Sequence, residues 1–237
     1  MKRILATILS LLLTAGLVEA QKTIKDENVE LRQASGFHGI KVSGGFDVYL
    51  SSGNEESVAV SASQKEYVEY IKAEVRDGIL HIEFKPRNGK WNIRNLKLSA
   101  YISYKNLDKL VMSGATDVRL MDIWKADKVS IDLSGASDLK GEVKFEELDI
   151  EQSGASDADI RGTVRKLQIR SSGASNFKGY GLNAHICDAR ASGASDIRIT
   201  VNSEISVDAS GASDVFYRGE GHIRDIRTSG ASTVSRR

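Results

Sequence analysis

From about residue 106 onward, apolar and polar side chains alternate, and the same four residues reset the alternation at a nearly constant step. The sequence SGA followed by Ser or Thr begins at Ser113, Ser134, Ser153, Ser172, Ser192, Ser210 and Ser229, at steps of 21, 19, 19, 20, 18 and 19 residues. Seven such matches at so even a spacing mark a structural repeat. Three positions before each serine stand Leu110, Ile131, Ile150, Ile169, Ala189, Val207 and Ile226, all apolar. Five before it the middle copies carry Val129, Leu148, Leu167, Cys187 and Ile205, whereas the end copies carry Asp108 and Arg224. Two before it stand Val111, Asp132, Glu151, Arg170, Arg190, Asp208 and Arg227, so a charged residue lies between apolar ones. Alternation with period two is the signature of a strand with one buried face.

Beyond the serine the apolar face returns at the fifth position, with Val118, Leu139, Ala158, Phe177, Ile197, Val215 and Val234. Each repeat therefore contains a strand, a tight Ser-Gly-Ala corner and a second strand. Gly141, Gly162, Gly179 and Gly219 supply later turns. No window shows an apolar stripe of helical period, which excludes crossover helices. A repeat of about 19 residues without a helix predicts coils stacked one on the next. The expected fold is all-β, a right-handed parallel β-helix or β-solenoid, right-handed being the default for parallel crossovers. At ~4.8 Å per coil, seven coils would extend roughly 34 Å. One coil cannot bury its apolar face alone, whereas stacking joins the faces into one core.

Residues 21–105 lack the motif but keep strand patterning, and read as a β-rich cap continuous with the repeats at 106–237. The segment FHGIKVSGGFDVYL at 37–50 reads as a degenerate first repeat. Alternation around Val58 and Val60 predicts a strand at 57–61. Residues 71–75 and 79–84, joined by Asp77-Gly78, predict a hairpin. Another strand is expected over 96–104, and the loop at 86–92 holds Trp91.

The first twenty residues read as a secretory signal: Lys2 and Arg3, an apolar stretch over 4–17, then Val18-Glu19-Ala20 as the cleavage site. No apolar run elsewhere approaches the ~20 residues of a membrane span, so no transmembrane segment is expected after cleavage. Cleavage removes two of the 33 basic residues and one of the 32 acidic ones, leaving 31 of each. A balanced chain gives no electrostatic reason to bind nucleic acid. The single cysteine, Cys187, cannot form an internal disulfide and falls in an apolar column, where a buried thiol is expected.

The signal, the segment FHGIKVSGGFDVYL, the hairpin IKAEVRDGILHIEF and the tandem SGASD repeats together resemble the bacterial family called putative auto-transporter adhesin, head GIN domain, common in Bacteroidetes. The resemblance covers about residues 29–234. It implies a β-helical envelope or secreted protein of a Gram-negative bacterium, periplasmic or at the outer surface. It brings no catalytic residues with it.

Candidate chemistry is confined to repeated columns. Four after the motif serine stand Asp117, Asp138, Asp157, Asn176, Asp196 and Asp214, with Thr233 ending the series. Stacked carboxylates could collect Ca²⁺, which takes several oxygen ligands. Two positions further on come Arg119, Lys140, Asp159, Lys178, Arg198 and Phe216, so neighbouring columns can neutralise each other. A structural ladder is the preferred reading. No cofactor is expected, and weak Ca²⁺ binding is the most the column would give. Asp157 with Asp159 is the one carboxylate pair, but nothing else marks it for acid–base work. His38, His81, His185 and His222 form no zinc motif; His185 with Cys187 supplies only two donors where zinc needs three or four.

There is no nucleophile elbow, phosphate loop or dinucleotide fingerprint. A catalytic site is a local, asymmetric constellation, whereas here each conspicuous polar residue recurs coil after coil. The expectation is an exported, non-enzymatic, adhesin-like module presenting repetitive faces to an envelope or extracellular glycan or protein. Trp91, Tyr180 and Tyr217 are candidate aromatics for a sugar. Two alternatives stand beside it: a polysaccharide-active β-helix enzyme, by fold analogy alone, and a periplasmic stress or scaffold module binding through a strand edge.

Overall fold

The computed structural model describes residues 26–86 and 95–237. The proposed signal segment and Trp91 lie outside the described residues. The strands are β1 (Glu30–Arg32), β2 (Gly39–Gly44), β3 (Phe46–Ser52), β4 (Ser57–Ala62), β5 (Ile71–Arg76), β6 (Ile79–Phe84), β7 (Leu98–Tyr104), β8 (Lys109–Gly114) and β9 (Asp117–Leu120). They continue with β10 (Trp124–Leu133), β11 (Asp138–Gln152), β12 (Asp157–Ser171), β13 (Asn176–Ala191), β14 (Asp196–Ala209), β15 (Asp214–Arg218), β16 (His222–Thr228) and β17 (Thr233–Arg236). All belong to one hydrogen-bonded sheet wound into a β-solenoid of about seven turns, with coils about 19 residues apart.

Each coil has three sides, and burial shows where it bends. Along 137–152 the inward positions are Ser137, Leu139, Val143, Phe145, Leu148, Ile150 and Gln152. The alternation breaks at 141–142 and 146–147, and again at 135–136 in the Ser-Gly-Ala corner. The sequence pattern revealed two of these sides. The third, represented by the column Phe145, Val164, Ala184 and Val201, is too short to carry a period of its own.

The coils stack in register. The inward column runs Leu80, Ile40, Leu110, Ile131, Ile150, Ile169, Ala189, Val207 and Ile226, each opposite the next. Every member before Ile226 is at most 3% exposed. Apolar surface removed from water at roughly 25 cal/mol per Å² is what holds such columns together. At the corners the motif glycines adopt φ between +71° and +83°, a region that favours glycine. The second motif serine turns inward. Ser175 Oγ donates to the Ser172 carbonyl at 2.9 Å, and Ser195, Ser213 and Ser232 repeat the bond within their own corners. The first motif serine donates backward instead, as from Ser172 Oγ to the Gln152 carbonyl at 3.1 Å. Hydroxyls thus satisfy carbonyls that a tight corner would leave without partners.

The N-terminal region is wound differently from its sequence order. Strands β2 and β3 do form an SGA-like coil, with the Gly44 carbonyl accepting from Ala115 N–H at 3.0 Å. That coil is not the end of the stack, because β2 lies between β6 and β8, and β3 between β7 and β9. The chain leaves β3, passes beyond the coil, and returns through β6 and β7 to form the level outside it. The end is closed by antiparallel strands, β5 on β6 and β4 on β7, with β1 on β4. A 3-10 turn over Lys65–Tyr70 inserts Val68, fully buried, beneath them. The β5–β6 hairpin has the expected turn, with Asp77 at φ +50° and Gly78 at φ +74°. Strand β4 does not alternate: Val58 through Ala62 are all buried.

At the other end a bulge corrects the sequence register. Ile223 pairs with Ile205 and Asp225 with Ser206, so Arg224 is the extra residue and Ile223 takes the apolar column. The expected place for Arg224 in that column was one residue off because a bulge leaves no trace in spacing.

Candidate ligand-binding faces

Two outward faces flank the Ser-Gly-Ala corner. On the side after it, Asp117, Asp138, Asp157, Asn176, Asp196, Asp214 and Thr233 stand opposite one another in one column. The column continues through Asp47, opposite Asp117, to Ser99. Asp47 was missed because its corner reads Ser-Gly-Gly; aligning Ser43 with the motif serines would have found it.

Neighbouring columns neutralise this one in part. Asp157 accepts from Asn176 Nδ2 at 2.8 Å and from Lys178 Nζ at 2.5 Å. Asp196 accepts from Arg198 at 3.0 Å. Burial pushes the Asp157 carboxyl upward, but the bonds from Lys178 and Asn176 outweigh it and hold it below the usual carboxylate value. Asp117 moves the other way, raised by burial and by the carboxylates of Asp138 and Asp47. Asp157 therefore shifts opposite to what a general acid requires. Among the described residues, no three His, Cys, Asp or Glu side chains converge closely enough to hold a metal ion.

The side before the corner bears an open groove of about 460 Å³. Its rim carries Asp132, Glu151, Arg170, Arg190 and Asp208 on successive coils, and its floor carries motif serines from Ser134 to Ser210. Arg170 bridges Asp149 and Glu151, with Nη1 2.7 Å from an oxygen of each. Asp132 makes no ion pair among the described residues, and burial followed by the Glu151 charge raises its carboxyl. Arg190 has only a 3.8 Å contact to Asp188. Ser134, Ser153 and Ser172 donate their hydroxyls to the carbonyls of Met112, Leu133 and Gln152. The arrangement can hydrogen-bond and charge-pair, but it contains no nucleophile held by a base.

Other candidates fall apart in space. Tyr217 is inward and 5% exposed, paired beside Ile199, which corrects the expectation of an exposed aromatic. Tyr180 is covered by the Arg218 guanidinium, 4.0 Å from its ring centre. His185 is exposed and Cys187 buried, because the coil bends between them and the alternation breaks at 185–186. Burial pushes the Cys187 thiol well above its ordinary value.

Known structures share this architecture. A crystal structure of a putative adhesin from Bacteroides fragilis NCTC 9343 superposes with a TM-score of 0.80 at 18% identity, covering 90% of this chain and 98% of that one. A putative adhesin from Parabacteroides merdae ATCC 43184 gives a TM-score of 0.68 at 15% identity, covering 88% and 95%. A putative lipid binding protein from Parabacteroides distasonis ATCC 8503 gives 0.64 at 17% identity, covering 89% and 98%. At these identities the likeness speaks for the fold alone. No curated protein matches the sequence. A family model does match, over residues 36–221, and the chain belongs to that family, described as putative auto-transporter adhesin, head GIN domain.

Proposed function

We propose that this chain is an exported, non-enzymatic binding module of the bacterial envelope, meeting a glycan or protein partner with the two faces that flank its serine corner. The observation that carries the reading is repetition: the outward Asp column and the charged groove rim recur on coil after coil in register. Catalysis concentrates unlike groups at one point, whereas adhesion gains from many similar contacts spread along a rigid surface. The description of the family to which the chain belongs supports the same reading. On the corner's far side the proposed contact residues are Asp117, Asp138, Asp157, Asn176, Asp196 and Asp214. Trp91, outside the described residues, is a further proposed aromatic contact. No cofactor is required.

The test is a glycan and polysaccharide array probed with the purified chain, with and without Ca²⁺, followed by product analysis on every ligand that binds. Binding without product, unchanged by chelator, is the expected result. Release of product would overturn the non-enzymatic reading, and abolition of binding by chelator would overturn the cofactor-free one. Silence on the array would place the partner among envelope proteins, to be sought by crosslinking in cells.

A further inference from the structure

The two ends of the solenoid are not alike. The N-terminal end is closed by β1, β4, β5 and the 3-10 turn, with Val68 and Ile71 buried beneath. At the opposite end, among the described residues, β16 pairs only with β14, and β17 only with β15. Their outer edges carry unpaired N–H and C=O groups. The inward residues of this last layer lie over the apolar core, and no described residue covers them. Ile223 stacks on fully buried Ile205 yet is 51% exposed. Ile226 stacks on Val207 and Val234 on Val215, each only partly buried where the residue beneath is buried. A free strand edge beside apolar side chains is a template for another chain.

From this end we infer that the protein forms a two-fold dimer in which β16 of one copy pairs antiparallel with β16 of another. The reasons lie in the strand itself. With the axis passing between Arg224 and Asp225, Arg224 stands opposite the partner's Asp225, and Ile223 stands opposite the partner's Ile226. Ile223 and Ile226 both face inward, and the bulged pair 224–225 sits between them on the axis. Side chains directly opposite in an antiparallel pair share a face, so this register joins apolar to apolar and cation to anion twice over. Charge on an edge strand usually blocks pairing. Here opposite signs flank the axis, so the same charges admit one register and oppose its neighbours. His222 and the partner's Arg227 also come opposite; within each copy Glu204 lies 3.5 Å from His222 and 2.8 Å from Arg224, and Asp225 lies 3.0 Å from Arg227.

The winding of the coil fits the same axis. Each side of a coil sits about a third of a ~4.8 Å coil step further along the stack than the side before it. At this end the order is residues 219–221, then β16, then β17. An axis through the middle of β16 sets β17 of one copy over residues 219–221 of the other, so the most advanced side meets the least advanced one. The gap between copies is then even all round. Arg236 on the advanced side is exposed, and Glu220 on the recessed side is exposed and makes no ion pair among the described residues, which again sets cation against anion.

Sedimentation velocity of the purified chain over a concentration series tests the inference independently of any ligand. The expected result is a monomer–dimer equilibrium with β16 amides protected from exchange in the dimer. Arg224→Asp and Asp225→Arg, made singly, should each weaken association by about ten-fold or more. Made together, they restore the opposite-charge pairing and should return most of the affinity. Circular dichroism melting confirms that these exposed changes leave the fold intact. A monomer at all concentrations would overturn the inference, as would a dimer indifferent to the single changes or one not restored by the double change.

Discussion

Gly173 lies directly on Gly154. The Ala174 N–H donates to the Gly154 carbonyl at 2.7 Å, and a Cβ added to Gly173 would stand 2.6 Å from that same oxygen. Gly173 has φ +73°, so two independent reasons require glycine there. Gly173→Ala should cost about 2–4 kcal/mol, from backbone strain and overpacking together. Gly36 has φ +77° but open space where its Cβ would fall. Gly36→Ala should cost only about 1–2 kcal/mol, the backbone part alone. Urea denaturation of the two variants separates close packing from backbone strain, and equal losses would contradict the stacking argument.

Ile169 is fully buried between Ile150 and Ala189 in the longest inward column. Ile169→Asp places an unpaired charge there and should prevent cooperative folding, because no partner is within reach of the carboxylate. Asp157→Ala, on the outer face of the same coil, should cost about 1 kcal/mol or less. Far-ultraviolet circular dichroism with thermal melting reads both.

Asp157 and Asp117 should respond to pH with opposite signs. Asp157 has its folded value depressed, so its stabilising contribution is present above the unfolded value near ~3.9 and is lost as pH falls through the folded value. Asp117 has its folded value raised, so ionising it at neutral pH works against the folded state, and protonation at acid pH relieves this. Asp157→Asn should therefore destabilise at pH 7 and lose its effect in acid. Asp117→Asn should be neutral or slightly stabilising at pH 7. Chemical denaturation of both variants over a pH series running downward from 7 decides the matter, with differences of about 1 kcal/mol or less expected at such partly exposed sites.

Cys187 is 1% exposed, and its thiol is pushed upward by burial and by the nearby Asp188 charge. It should resist aromatic disulfide reagents in the folded protein and react only as fast as the coil opens. Labelling rates measured against urea concentration should track unfolding. Rapid labelling in native buffer would mean that the coil around Cys187 opens readily.

The repeat region was legible because stacking imposes the same demand on each coil. Ile131, Ile150 and Ile169 occupy one position in three successive copies and one column in space. Tyr217 escaped that logic until its column was identified: Ile199, one coil earlier, already marked the position as inward. The groove was not legible because its rim residues switch sign along the stack, from Asp132 and Glu151 to Arg170 and Arg190 and back to Asp208, and shape leaves no mark on composition. Arg224 was misassigned because one inserted residue shifts the register without breaking the repeat.

By itself the sequence determined the coil. The SGA[ST] spacing, the period-two columns and the corner glycines each follow from local geometry, since a tight corner needs a left-handed residue and a strand side buries alternate positions. Tertiary structure alone decided the order of levels at the N-terminal end, the closure there by antiparallel strands and the open edge at β16 and β17. Strand β2 can accept a parallel neighbour on either edge, and nothing in its own residues says that β6 takes one and β8 the other. That choice rests on which arrangement buries Val68, Ile71 and Phe84 together, a contact among segments separated along the chain, and such contacts have no local signature.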